Sequence, residues 1–264
     1  MKKRFQFLFC LLILIYAHLE AQNSTGIAII PKPASIMMSE GSLALKRVFA
    51  IQSPVEHNYA RFLNNAGLFS IDYKCINSQD NGAEIRIRRS DGKENGEGYL
   101  LIIGPKYIEI SASGHAGILY AIETLKQILV QTWNGKEFHI PCMTIRDAPV
   151  FAYRGFLLDA SRHFQPVYVV KQVMDYMLSM KLNVYHWHLT DNEGWRVQSL
   201  KYPELNYTSS FVNDSNKLET NGFYSIEEIR EIQAYAHERN IKVIPECEIP
   251  GHSGAILNAF PGLR

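Results

Sequence analysis

Cysteine is scarce. Four residues in 264, at positions 10, 75, 142 and 247, are too few and too widely spaced for a disulfide framework or a zinc knuckle. The three beyond residue 21, Cys75, Cys142 and Cys247, are expected to act as small buried hydrophobes. An excess of one charge is missing too: 27 Lys and Arg meet 26 Asp and Glu, for a formal net charge of +1. No basic stretch interleaved with aromatics occurs, and no glycine-rich phosphate loop, so nothing marks a nucleic-acid or nucleotide binder. No apolar run is long enough to span a membrane as a helix. The longest, residues 7–17, follows Lys2, Lys3 and Arg4 and precedes a small residue, Ala21. Residues 1–21 therefore read as a secretory signal peptide, with export to the periplasm or the exterior expected and no membrane span left after its removal. Cleavage would take three of the 27 basic and one of the 26 acidic residues, leaving a nearly neutral mature chain.

What is present is ample core material, 47% apolar residues, divided between two units. Residues 22–149 read as a small α+β domain. Residues 27–30 are expected to form a strand. Residues 83–89 alternate, with Ile85 and Ile87 opposite Glu84, Arg86 and Arg88. Residues 98–103 and 107–111 flank a Gly104-Pro105-Lys106 turn. A helix follows over 117–130, with Ile118, Ala121, Ile122, Leu125, Ile128 and Leu129 on one face. Residues 145–149 read as the junction, broken by Pro149.

Residues 150–264 change period. A short apolar run ending at Leu158 stops in Asp159-Ala160-Ser161-Arg162-His163-Phe164. Pro166 then suits a first helical turn, and Val170, Val173, Met174, Met177 and Leu178 make one apolar stripe. A second run, residues 182–188, ends in His186-Trp187-His188-Leu189-Thr190-Asp191-Asn192-Glu193-Gly194-Trp195-Arg196. Residues 206–221, rich in Asn and Ser, read as a long loop. Ser225-Ile226-Glu227-Glu228 is a capping box opening a further helix that Asn240 suits to end, before a third strand at 241–245. Strand–helix–strand with polar groups at the strand ends is the pattern of α/β proteins that place their sites there.

Those strand ends carry a resemblance. Leu158 to Phe164, His186 to Arg196 and Pro245-Glu246-Cys247-Glu248-Ile249-Pro250-Gly251-His252-Ser253 resemble, in order, three motifs of the family 20 glycoside hydrolases, the β-N-acetylhexosaminidases. The resemblance implies an α+β domain followed by a (β/α)8 barrel. Such a barrel takes about 250 residues, so residues 150–264 are expected to hold only its first three βα units, an incomplete barrel. It also implies hydrolysis of terminal, non-reducing N-acetyl-β-hexosamine residues from glycans. The substrate's own 2-acetamido oxygen would attack, with retention of configuration and without cofactor or metal. By the same resemblance Arg162 binds sugar hydroxyls, while Asp191 and His252 support the catalytic acid. Asp159, His163, His188, Glu246 and Glu248 are expected to support them from behind, as strand-end polar groups. Two positions depart from the family pattern: Asn192 stands where an Asp is usual, and Glu248 where an Asp is frequent. The family's proton donor is the Glu of an adjacent Asp-Glu pair. No such dipeptide occurs in residues 1–264, so the pair is expected beyond Arg264 and this chain alone is expected to be inactive.

Two other readings stand beside that one. A chain without the acidic pair could be a non-catalytic fragment. His186-x-His188 near Asp191 has the flavour of a metal-dependent amidohydrolase; against it, the pair ends the second strand and no further histidine cluster follows.

Overall fold

The computed structural model describes residues 26–54, 57–64, 73–79, 82–91, 96–207 and 222–264. Residues 1–21, where a signal peptide is expected, residues 22–25 and nearly all of the expected 206–221 loop lie outside them. The chain divides into two compact units between Ala148 and Pro149. Among the described residues no helix is long and apolar enough to cross a membrane.

Among the described residues the first unit holds a seven-stranded mixed sheet. Its strands are β1 (Ser35–Leu45), β2 (Val48–Gln52), β3 (Lys74–Ser78), β4 (Ile85–Arg89), β5 (Tyr99–Ile103), β6 (Ile108–Ala112) and β7 (Phe138–Asp147), in the order β1-β7-β5-β6-β4-β2-β3. A short helix α1 (Ala60–Asn64) and the long α2 (His115–Thr132) accompany it. The stripe read from the sequence, Ile118 to Leu129, is wholly buried, and α2 packs on β5, β6 and β7. Gly117 permits that approach, since a Cβ there would lie 2.3 Å from the Gly98 carbonyl oxygen.

One expectation fails here and a second is narrowed. Residues 27–30 form no strand: the Gln131 amide accepts from the Ala28 N–H (2.8 Å) and donates to its carbonyl (2.7 Å). Gln127 does the same for Ile30. Two helix side chains thus satisfy the backbone groups that a neighbouring strand would have taken. The unit boundary falls within the 145–149 junction, between Ala148 and Pro149, but residues 145–147 still belong to β7, where all three pair with β5 and Ile145 and Arg146 also pair with β1. Cys75 and Cys142 are buried as expected, whereas Cys247 is exposed.

In the second unit three parallel strands, β8 (Gly155–Asp159), β9 (Val184–His188) and β10 (Lys242–Glu246), lie in the order β10-β9-β8. Helix α3 (Val167–Ser179) links the first two and α4 (Ile226–His237) precedes the third; α5 (Gly254–Ala259) follows. Helix α4 opens on the expected box: Ser225 Oγ accepts from the Glu228 N–H (3.1 Å), and the Glu228 carboxylate accepts from the Ser225 N–H (2.8 Å). Ahead of β8, Arg154 Nη1 donates back to the Phe151 carbonyl (2.6 Å).

Alternation divides the two faces of the sheet. Tyr185 and Trp187 of β9 join Val170, Met174 and Met177 of α3 and Ile232 and Ala236 of α4 in one buried cluster. The other face carries Asp159, His186, His188 and Glu246. The register sets Asp159 opposite His188 and His188 opposite Glu246, so one rung at the carboxyl ends holds all three.

Candidate active site

Three side chains at the strand ends converge on one atom. Asp191, 1% exposed, presents Oδ2 to three donors: Arg162 Nη2 at 2.6 Å, His252 Nδ1 at 2.8 Å and His188 Nε2 at 3.0 Å. Its Oδ1 accepts from the Asn192 N–H at 2.6 Å. Burial pushes the Asp191 carboxyl up, but the Asn192 N–H, His252, His188 and Arg162 outweigh it and hold it at about 2. It is an ionised carboxylate.

Arg162 is positioned from its own turn. Asp159 Oδ1 accepts from the N–H groups of Ser161 (3.1 Å) and Arg162 (3.0 Å), a turn that Asp closes readily. Asp159 Oδ2 takes Arg162 Nη1 at 2.5 Å. Burial raises the Asp159 carboxyl, and the backbone and guanidinium bonds from Arg162 bring it below its ordinary value. The guanidinium remains half exposed, with further N–H groups open to a ligand.

His188 lies between two carboxylates, Asp191 and Glu246, with Nδ1 2.7 Å from Glu246 Oε2. Ionised carboxylates only accept, so both ring nitrogens donate and the ring is an imidazolium. Burial alone would lower its pKa; Glu246 and Asp191 raise it. Glu246 is lowered, first by the His188 bond. His186 Nε2 reaches the same Glu246 oxygen at 2.9 Å. Oxygens of Glu246 and Glu248 and a nitrogen of His188 lie within 4.8 Å of one another, but both His188 nitrogens are already engaged by carboxylates. The two histidines are thus bridged by one carboxylate, that of Glu246.

The remaining expected residues divide. Glu248 is tied by its backbone N–H to Thr190 Oγ1 (2.7 Å). His252 adopts a left-handed backbone, φ 53°, a conformation costing a non-glycine residue about 1 kcal/mol or more. His163 is exposed, its Nδ1 2.7 Å from the Arg162 carbonyl oxygen. Sequence reasoning passed over Glu193, whose buried Oε2 stands 3.8 Å from Arg162 Nε without a hydrogen-bond partner among the described residues. It also passed over Arg196, which is 2% exposed. Both lay inside a quoted motif, but burial was not readable there.

The chemistry of this cluster sets a pH window. Carboxylates with lowered pKa stabilise the fold above their unfolded values, near pH 4, and that contribution is lost as pH falls toward about 2. The raised His188 acts in reverse: its contribution is complete below about pH 6.5 and fades as pH rises through the folded value. Thermal midpoints are expected to drop on both sides, and His188→Gln to abolish only the alkaline drop. An alkaline drop of equal size in that variant would rule out His188 as its source.

Two sequence-family models meet these residues. The "Glycosyl hydrolase family 20, catalytic domain" model matches residues 151–264 and the "Glycosyl hydrolase family 20, domain 2" model matches 26–148. The chain belongs to glycosyl hydrolase family 20. Family 20 relatives include the beta-hexosaminidase of Vibrio furnissii, 35% identical over 256 residues, 93% of this chain and 41% of the relative. That of Porphyromonas gingivalis is 34% identical over 251 residues, 90% and 32% respectively. Among solved family 20 structures, the beta-N-acetylhexosaminidase from Bacteroides fragilis superposes with a TM-score of 0.76 at 33% identity, covering 89% of this chain and 48% of that one. The exo beta-N-acetylglucosaminidase from Vibrio harveyi, solved with N-acetylglucosamine, gives 0.78 at 31%, covering 89% and 38%. The chain spans less than half the length of each of these. The family's barrel, covered only in part, agrees with three strands of an incomplete barrel.

Proposed function

We propose that the whole protein removes terminal, non-reducing N-acetyl-β-hexosamine residues from glycans. The observation that carries this is the convergence of Arg162, His252 and His188 on Asp191 Oδ2 at the strand ends of a family 20 chain. Arg162, anchored by two carboxylates and open on one side, offers a planar fork to neighbouring sugar hydroxyls. Asp191 and His252 form a carboxylate–imidazole pair able to hold and tune a neighbouring acid. That acid is the Glu of the Asp-Glu pair, which lies outside residues 1–264. It protonates the leaving oxygen while the 2-acetamido oxygen attacks the anomeric carbon, and then activates water to reopen the cyclic intermediate with net retention. Asp159, His163, His188, Glu246 and Glu248 hold the pair in place. The N-terminal leader directs export, so the substrate is an extracellular or periplasmic glycan.

The test is release of 4-nitrophenol from 4-nitrophenyl N-acetyl-β-D-glucosaminide by the whole protein, with the anomer of the first product followed by NMR. Release of the β-anomer, unaffected by a chelator, is expected. No release, or an α-anomer first, overturns the proposal; loss of activity to chelator would revive a metal-dependent mechanism.

A further inference from the structure

Arg196 is a buried cation with no ion pair among the described residues. At 2% exposure its guanidinium meets only backbone carbonyls: Ser161 O from Nε (3.1 Å) and Nη2 (2.8 Å), and Gly222 O from Nη1 (2.9 Å). Burying a guanidinium without a carboxylate is costly, and apolar side chains of similar volume commonly serve stability as well or better. Its presence calls for another account.

The geometry supplies one. The Ser161 carbonyl belongs to the peptide unit that leads directly into Arg162. Two N–H groups of Arg196 hold its oxygen, and Asp159 Oδ1 holds its N–H from the Arg162 side (3.0 Å). The plane is pinned at both polar atoms, which fixes where the Arg162 side chain departs. Arg196 itself rides on the loop that carries Asp191: Asp191 N–H donates to the Gly194 carbonyl (3.1 Å), and Ser161 Oγ donates to that same carbonyl (2.8 Å). Residue 194 must be glycine for this arrangement, since a Cβ there would sit 2.4 Å from Arg196 Cζ. Burial lowers the Arg196 pKa, while the nearby charges of Asp159 and Glu193 act to raise it, together with Tyr224.

We propose that Arg196 is a positioning residue for the sugar site: through the Ser161 carbonyl it fixes Arg162 relative to Asp191. The inference rests on the hexosaminidase reading and adds to it a residue that touches neither the sugar nor Asp191. A lysine keeps the charge but cannot place two N–H groups on one oxygen and a third on Gly222.

Three variants of the whole protein, Arg196→Met, Arg196→Lys and Gly194→Ala, are compared with wild type on the 4-nitrophenyl substrate, each also combined with Arg162→Ala. Displacing Arg162 by a fraction of an ångström is expected to lower kcat/KM by about tenfold to a hundredfold in Arg196→Met and Gly194→Ala, with Arg196→Lys less affected. In the Arg162→Ala background the same changes should cost less than about threefold, because the group they position is gone. Equal losses in both backgrounds, or full activity in Arg196→Met, overturn the inference. Should Arg196→Met not fold, Arg196→Lys and Gly194→Ala decide by the same comparison. A wild type that releases nothing overturns the hexosaminidase reading and this inference with it; an active wild type with additive losses overturns this inference alone.

Discussion

Asp191→Ala is expected to destabilise the second unit by about 2–4 kcal/mol and to abolish measurable turnover in the whole protein. The reason lies in what the substitution leaves behind. Arg162 and His188 are charged and His252 points at the same place, all aimed at Asp191 Oδ2. Removing that oxygen leaves cationic donors facing each other around an empty centre, with His188 only 8% exposed. The cost stays below that of a fully buried pair because the side chains of Arg162 and His252 are about half exposed and water can reach them. Asp191→Asn separates the two effects. It keeps one oxygen and the shape, so most of the stability should return, while the lost charge should keep kcat low. Chemical denaturation and kcat measured on both variants decide the matter. A stability within about 0.5 kcal/mol of wild type for Asp191→Ala would mean that the three donors do not depend on this carboxylate.

Arg162→Ala is the second. In the whole protein kcat/KM should fall by about a hundredfold or more, with kcat taking part of the loss. A residue that only bound the sugar would raise KM and spare kcat. Arg162 does more, because its Nη2 is one of the groups that neutralise Asp191. Without it, Asp191 keeps its histidine donors but loses a cation that lowers its pKa, so the carboxylate becomes more basic. The pH–rate profile should therefore move upward along with the fall in rate. An unchanged kcat/KM would remove Arg162 from the sugar site. A pure KM effect with an unmoved profile would reduce it to a binding residue.

The sequence revealed the second unit better than the first, for a physical reason. In β8–α3–β9 and α4–β10 the apolar periodicity changes sharply from strand to helix, and Ser225 and Glu228 announce their own helix. In the first unit β1 is mostly exposed, with polar residues on both faces, so no alternation marks it. Strand β7 carries Pro141, which argues against a strand; the ladder accommodates it beside a register shift between Met38 and Ser42 of β1. Residues 27–30 read as strand because their composition is right, and only the placement of Gln127 and Gln131 from α2 decides otherwise. At the site, the strand-end positions of Asp159, His188 and Glu246 were visible in the pattern. Their meeting in one rung was not, because register depends on pairing between segments distant in sequence. The role of Arg196 was hidden in the same way, since a guanidinium bonded to carbonyls leaves no trace in spacing.

The shared rung of Asp159, His188 and Glu246 has an engineering consequence. Side chains along a strand alternate with a period of two, so inserting a single residue within β9 would turn His188 toward α3 and α4 and carry Trp187 to the open face. The site tolerates no odd-numbered slip. Surface changes on α3 and α4, or altered lengths in the turns that precede the strands, leave the rung where it is, because parity is set within the ladder and not by the connections. Libraries aimed at solubility or thermal tolerance can therefore be confined to the helical side, while the three strands are kept at their present lengths.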